Sequence, residues 1–309
     1  MTGDIIQAIA QVFGVCLIGW LAARLGYLNE HDVGRWSRLL IDILFPMLVF
    51  QSIVRGFDAD RFRELWILPV LGLGIVVIGA LCGVLLRHTV KSHEPEIRNT
   101  FHHFCAANNY GFIPVIIVQS LWGDQGMANL FVLNLGSTIG YWTIGVALLG
   151  GASIRTTARN IVSPTLVSLG LALLLSLTGM SRHVPALLLR VFESAGAVAV
   201  PAMLMLGGAT LYPLPALTDR RDLAWLTINR LILIPAVTIL LLVALPLSAD
   251  VRNVAIIVAL MPVPISSMVL ARRFGGSPRF AAQAAVVTTL AAIITIPLAV
   301  VLLQSLLRG

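Results

Sequence analysis

Two short stretches of this sequence set helix-breaking residues beside amides and hydroxyls in apolar surroundings. The first is Asn108-Asn109-Tyr110-Gly111-Phe112-Ile113-Pro114 and the second is Met261-Pro262-Val263-Pro264-Ile265-Ser266-Ser267. An amide offers both a donor and an acceptor, so it can hold a carboxylate or a hydroxyl without adding charge. Gly111 and Pro114 would unwind the helix beside Asn108 and Asn109. The half-helix after Pro114 would then aim free N–H groups and partial positive charge at the gap, a seat for an anion. The same holds after Pro262 or Pro264, where Ser266 and Ser267 add hydroxyls. Two such helix ends meeting at one point would bind a carboxylate without Lys or Arg. Either break alone reads equally as a proline kink that serves packing. Their occurrence at matching places of two halves favours a binding site.

Other residues join these as candidates. Gln51, one turn past Pro46, would face the same cavity or act as a packing amide. Asn134 and Ser137 belong to a polar stripe that lines a path or lets helices approach. Asp42 is a carboxylate inside an apolar stretch and the candidate for proton coupling; an ion pair with Arg38 at helical spacing is the alternative. His102 and His103 read as solvated histidines at the entry of a span, with a proton relay as the rival reading. Cys16, Cys82 and Cys105 have no metal spacing and no disulfide framework. HExxH, GxSxG and Walker motifs are missing, so no enzyme, metal or cofactor is expected.

These residues must be positioned by membrane helices. Charged residues make up 11% and hydrophobic residues 58% of the 309. Long apolar runs with short polar gaps predict an all-α membrane protein. The spans are expected near 4–25, 33–55, 64–87, 98–121, 126–150, 160–180, 185–212, 222–247, 251–273 and 279–306. The linker 151–160 divides them five and five, giving repeats 1–150 and 161–309. Pro46 and Pro201 lie 155 residues apart and Pro114 and Pro262 lie 148 apart, each close to half the chain. An odd number of spans per repeat would give the two copies opposite orientation, hence two inverted five-helix repeats with broken, crossing helices 4 and 9. The loops after odd-numbered spans hold fourteen of the 21 Lys and Arg residues, which places them in the cytoplasm and both termini outside. The net charge of +7 reads as loop charge beside anionic lipid rather than nucleic-acid binding.

The run Asn109-Tyr110-Gly111-Phe112-Ile113-Pro114 with Trp122-Gly123-Asp124 resembles the auxin efflux carrier family. So do Met261-Pro262 with Val269-Leu270-Ala271-Arg272-Arg273-Phe274-Gly275, and the closing Thr295-Ile296-Pro297-Leu298. That family includes plant auxin carriers and bacterial malonate or malate permeases. The resemblance implies a scaffold from helices 1, 2, 6 and 7, a transport domain from helices 3–5 and 8–10, elevator-like movement and a homodimer. It also implies a site at Asn108 or Asn109, Pro114 and Pro262. Where plant auxin carriers often carry Ser-Phe-His after the span 2 proline, this chain has Val49-Phe50-Gln51, which favours a small aliphatic acid over auxin.

The expectation is therefore a secondary transporter of small organic anions in the inner membrane, working by alternating access. Its partners would be a small carboxylate and the lipid bilayer, and no nucleic acid. Two rivals stand beside it. One is a sodium-coupled organic-anion symporter of the bile-acid type, for which carboxylates and hydroxyls are sparse here. The other is a membrane ligand sensor that does not transport.

Overall fold

Proline and glycine punctuate the apolar sequence so often that many of its helices are short. The computed structural model of the chain describes residues 2–57, 65–150, 162–265, 267–303 and 307, with side chains from Gln7 onward except Ala8. Helix α1 is Thr2–Arg24. Helices α2 (Glu30–Leu39) and α3 (Phe45–Gly56) flank a π-helical turn, Leu40–Leu44. Helix α4 is Ile67–Leu86, α5 is Pro95–Ala106 and α6 is Phe112–Gly140. Then follow α7 (Pro164–Leu177), α8 (Ala186–Gly196) and α9 (Ala199–Ala209). Helices α10 (Arg220–Ile228) and α11 (Ile234–Ala244) flank a second π-helical turn, Asn229–Leu233. The last three are α12 (Ala249–Ala259), α13 (Ser267–Phe274) and α14 (Pro278–Leu302).

Local chemistry explains many of the boundaries. Asn29 and Asp32 exchange side-chain and backbone hydrogen bonds at 3.0 and 3.2 Å, a capping box that starts α2. Ser163 and Ser277 accept from Leu166 N and Phe280 N and start α7 and α14 just before a proline. Of the three π turns among the described residues, Leu40–Leu44 and Asn229–Leu233 end two residues before a proline, Pro46 and Pro235, the third being Tyr141–Gly145. Proline lacks an N–H and its ring crowds the carbonyl four residues back, so a widened turn there relieves both problems. In α6, Gly123 sits at φ +56°, ψ −147°, which kinks that helix into two pieces.

Packing follows the same divisions. Helix α1 lies against α9, and α3 lies against α7, α8 and α6. Helix α4 packs on α5 and α6, α12 on α6 and α11, and α14 on α10 and α13. Gly79 of α4 has the Cys105 carbonyl of α5 where a side chain would stand, so these two backbones touch. One large apolar core joins α3, α6 and α12, and a second joins α5, α10 and α14.

The architecture of ten spanning helices in two inverted five-helix repeats is overturned. Among the described residues, five helical stretches are long and apolar enough to cross a membrane: Glu30–Gly56, Ile67–Thr89, Ala186–Ala209, Arg220–Ala244 and Pro278–Leu302. Two shorter apolar helices, Ile9–Arg24 and Pro164–Leu177, stand beside them. The physical reason is interruption. The expected span 98–121 is cut at Gly111, 251–273 is cut after Ala259, and 160–180 holds a helix of 14 residues. At 1.5 Å per residue such a piece reaches about 21 Å, short of a bilayer core of about 30 Å. What stands is an all-α, multi-pass membrane protein. The expected linker 151–160 lies outside the described residues.

Candidate functional site

The two breaks meet. Helix α5 ends at Ala106 and the chain runs without helix to Phe112; α12 ends at Ala259 and the chain resumes helix at Ser267. The backbone N–H of Asn109 donates to the Pro262 carbonyl at 2.8 Å. The Asn108 amide Nδ2 donates to the Val258 carbonyl at 2.7 Å, near the end of α12. Both asparagines are buried. Asn108 Oδ1 is buried with no partner among the described residues. Asn109 Oδ1 accepts from Phe112 N at 3.3 Å and so covers one of the free N–H groups that open α6. Gly111 is the residue just before that first turn, and Pro114 sits within it, where a missing N–H costs little. Asn134, further along α6, donates to the Tyr110 carbonyl at 2.9 Å, and its Oδ1 is buried with no partner among the described residues. Across the gap, the Pro264 carbonyl accepts from Ser267 N at 3.1 Å.

Sequence reasoning missed the residue that holds these breaks together. Arg230, in the π turn before α11, is fully buried. Its Nη1 donates to the Cys105 carbonyl at 3.0 Å, its Nη2 to Ala259 at 3.1 Å and its Nε to Met261 at 3.1 Å. Those carbonyls close α5 and α12, where partial negative charge collects. The guanidinium fork matches that spread of acceptors in a way a lysine cannot. Beside it, the Asn229 side chain is buried and neither of its polar atoms has a partner among the described residues. A usable signal existed: an arginine nine residues past the pair Arg220-Arg221, inside an apolar run. The charge count instead treats Arg230 as loop charge.

A polar chain lies next to the crossing. His103 is fully buried, not a solvated interfacial histidine as expected. Its Nδ1 lies 2.7 Å from the Gly145 carbonyl, which only accepts, so Nδ1 carries the hydrogen. With a neutral ring, Nε2 then accepts from Ser267 Oγ at 3.1 Å, and Ser267 Oγ accepts from Tyr141 Oη at 2.8 Å. Helix α5, the turn after α6 and the start of α13 are thereby tied together.

The remaining candidates scatter. Gln51 is buried in α3; its Nε2 donates to Ser52 Oγ at 3.3 Å and its Oε1 has no partner among the described residues. Ser137 is buried against Gly72 of α4, with its hydroxyl unpartnered among the described residues. Asp42 is exposed on the first π turn. Ser266 lies outside the described residues. The start of α3 does border the break, since the Phe45 and Phe112 rings meet edge to face at 5.4 Å.

The family described as Membrane transport protein matches residues 4–159 and 151–300. An uncharacterized transporter of Methanocaldococcus jannaschii is 22% identical over 291 residues, covering 91% of this chain and 93% of that protein. Protein PIN-LIKES 6 of Arabidopsis thaliana is 25% identical over 122 residues, 38% of this chain and 28% of that one. A putative malonate transporter of Rhizobium meliloti is 21% identical over 313 residues, covering 95% and 94%. Matched along nearly its whole length, the chain belongs to the membrane transport protein family, within the auxin efflux carrier superfamily, and is a membrane transporter of small organic solutes rather than an enzyme.

Proposed function

We propose that this transporter carries small organic anions, mono- or dicarboxylates of the malonate or malate kind or auxin-like acids, by alternating access. The observation that carries the reading is the crossing of the two breaks, joined by the 2.8 Å bond from Asn109 to Pro262 and braced by Arg230. The first turn of α6 supplies N–H groups for a carboxylate. The unpartnered oxygens of Asn108 and Asn134 suit a hydroxyl or a protonated acid. The site would comprise Asn108, Asn109, Gly111, Pro114, Pro262, Pro264, Ser266, Ser267 and Asn134, with Gln51 and Ser137 as outlying members. Arg230 enters as the brace.

An elevator-like form of the cycle would move the body that carries the crossing, α4–α6 with α10–α14, against a scaffold of α1–α3 and α7–α9. The packing of α1 chiefly on α9 and of α3 chiefly on α7 supports that division, with the α3–α6 contact as the surface across which the two bodies would slide. Residence in the inner membrane with both termini outside is supported by the loop charges, a margin one residue narrower once Arg230 is removed from the count. The family resemblance adds a homodimer. Asp42, exposed on the π turn, is the proton-coupling group of this proposal only if Asp42→Asn alters the pH dependence of uptake.

The test is uptake of labelled malonate, malate and an indole acid by proteoliposomes. Saturable uptake that rises with an inside-positive potential is expected, since one charge crossing 100 mV is worth about 2.3 kcal/mol. Asn108→Ala and Asn109→Ala should each lower apparent affinity at least tenfold. Full affinity in both variants removes the amide site; no saturable flux of any acid removes the reading.

A further inference from the structure

A second polar concavity lies at the opposite end of α5 from the crossing. A cleft of about 250 Å³ is lined by Arg87, His93, Pro95, Arg98, Asn99 and His102. Its lining on α5 runs from Pro95 to His102, so along the helix axis it lies between about 16 Å and about 6 Å from the break that follows Ala106. Two guanidinium groups and two imidazoles face one small volume, and no carboxylate among the described residues lines it. Glu94, Glu96 and Asp222, the acids nearby, are not among its lining residues. Glu94 reaches Arg279 at 3.7 Å, Glu96 is exposed, and the Asp222 carboxylate accepts from Lys91 N and Ser92 N at 2.9 and 3.0 Å. That last pair of bonds pins the strap that carries His93. His102 Nε2 donates to the Ala80 carbonyl at 2.9 Å, which leaves Nδ1 as its remaining polar atom. Like charges gathered at a built concavity repel one another unless an anion joins them, and guanidinium forks suit the oxygens of a phosphate.

The position adds a second constraint. Arg87 directly follows α4, and the stretch Ile67–Thr89 is an apolar span of mean hydropathy 2.6. The cleft therefore sits where that span leaves the hydrocarbon, at the level of lipid headgroups. Below Arg87 on the same helix, Leu81, Val84 and Leu85 are 61%, 49% and 69% exposed, a surface suited to acyl chains. We propose that this cleft binds a phosphate group, presented by an anionic phospholipid headgroup or by a free phosphate compound, with the flanking apolar surface favouring the lipid. The site is separate from the crossing and does not depend on what the crossing carries.

The experiment measures the unfolding midpoint of the full chain in neutral detergent. One arm adds phosphatidylglycerol against phosphatidylcholine as control; the other adds inorganic phosphate against chloride at equal ionic strength. Phosphatidylglycerol should raise the midpoint by about 3 °C or more over phosphatidylcholine. The paired change Arg87→Gln with Arg98→Gln should abolish that shift, and Arg87→Lys with Arg98→Lys should keep part of it. A response to the lipid alone identifies a headgroup site, and an equal response to inorganic phosphate identifies a site for free phosphate. Either supports the proposal. If the unaltered chain responds to neither, or if the glutamine pair responds as fully as the unaltered chain, the cleft is not a phosphate site. The first of these outcomes needs no variant, so a poorly folding mutant does not shield the idea.

Discussion

Arg230 shows how a single side chain can set the terms of a site it does not expose. Burying a charge is costly unless it is paired and hydrogen-bonded. Here the compensation comes from three carbonyls at two helix ends rather than from an acid. Arg230→Met keeps much of the apolar stem but leaves those carbonyls unpartnered, at about 1–3 kcal/mol for each buried group left bare. The unfolding midpoint of the purified variant should fall by at least several degrees and uptake should be lost; an unchanged midpoint would show that the fork is not the brace. Ser267 offers a finer test. Ser267→Ala removes the hydroxyl that donates to His103 Nε2 and accepts from Tyr141 Oη, and Tyr141→Phe removes the donor on the far side of that hydroxyl. Because both changes act on one chain of hydrogen bonds, their losses should be non-additive in a double-mutant cycle of unfolding midpoints; simple additivity would show that the chain does not act as a unit.

At the level of elements, the seam between α4 and α5 depends on Gly79. An added side chain there meets the backbone carbonyl of Cys105, the same oxygen that accepts from Arg230. Gly79→Val should destabilise by about 1–3 kcal/mol through overpacking and weaken transport with it. Gly74, on the same helix with open space around it, is the control: Gly74→Ala should be neutral or stabilise by up to about 1 kcal/mol. Equal losses in the two variants would mean that any change in α4 matters, not the close approach. This seam also marks what the sequence made legible. Breakers beside amides located both interruptions, because Gly111, Pro114, Pro262 and Pro264 act locally on their own backbone. That Asn109 bonds to Pro262 is a contact between distant segments, which no local rule supplies. Arg230 was hidden by its nearness to Arg220 and Arg221. The number of spans was misread because apolar composition does not separate a helix that crosses a bilayer from a short helix buried in protein. Helices α12 and α13, with 11 and 8 residues, are of the second kind.

For the whole molecule, the proposed cycle requires one group of helices to slide against another, and two ring and ion contacts separate the possibilities. The Phe45–Phe112 contact at 5.4 Å joins α3 to α6, across the proposed boundary. The Arg55–Glu193 ion pair at 2.8 Å joins α3 to α8, within the proposed scaffold. With Cys16, Cys82 and Cys105 replaced by alanine, cysteine pairs at each place can be bridged by a short bifunctional thiol reagent. A bridge between Phe45→Cys and Phe112→Cys should cut uptake at least tenfold and be reversed by reductant, because it fixes the crossing against α3. A bridge between Arg55→Cys and Glu193→Cys should leave uptake within about twofold, since exposed ion pairs contribute little to stability and both partners would stay together through the cycle. If both bridges permit full transport, the crossing does not move relative to α3, and local gating around fixed breaks replaces sliding. If both abolish it, α3 and α8 move apart as well, and the division between scaffold and moving body runs elsewhere.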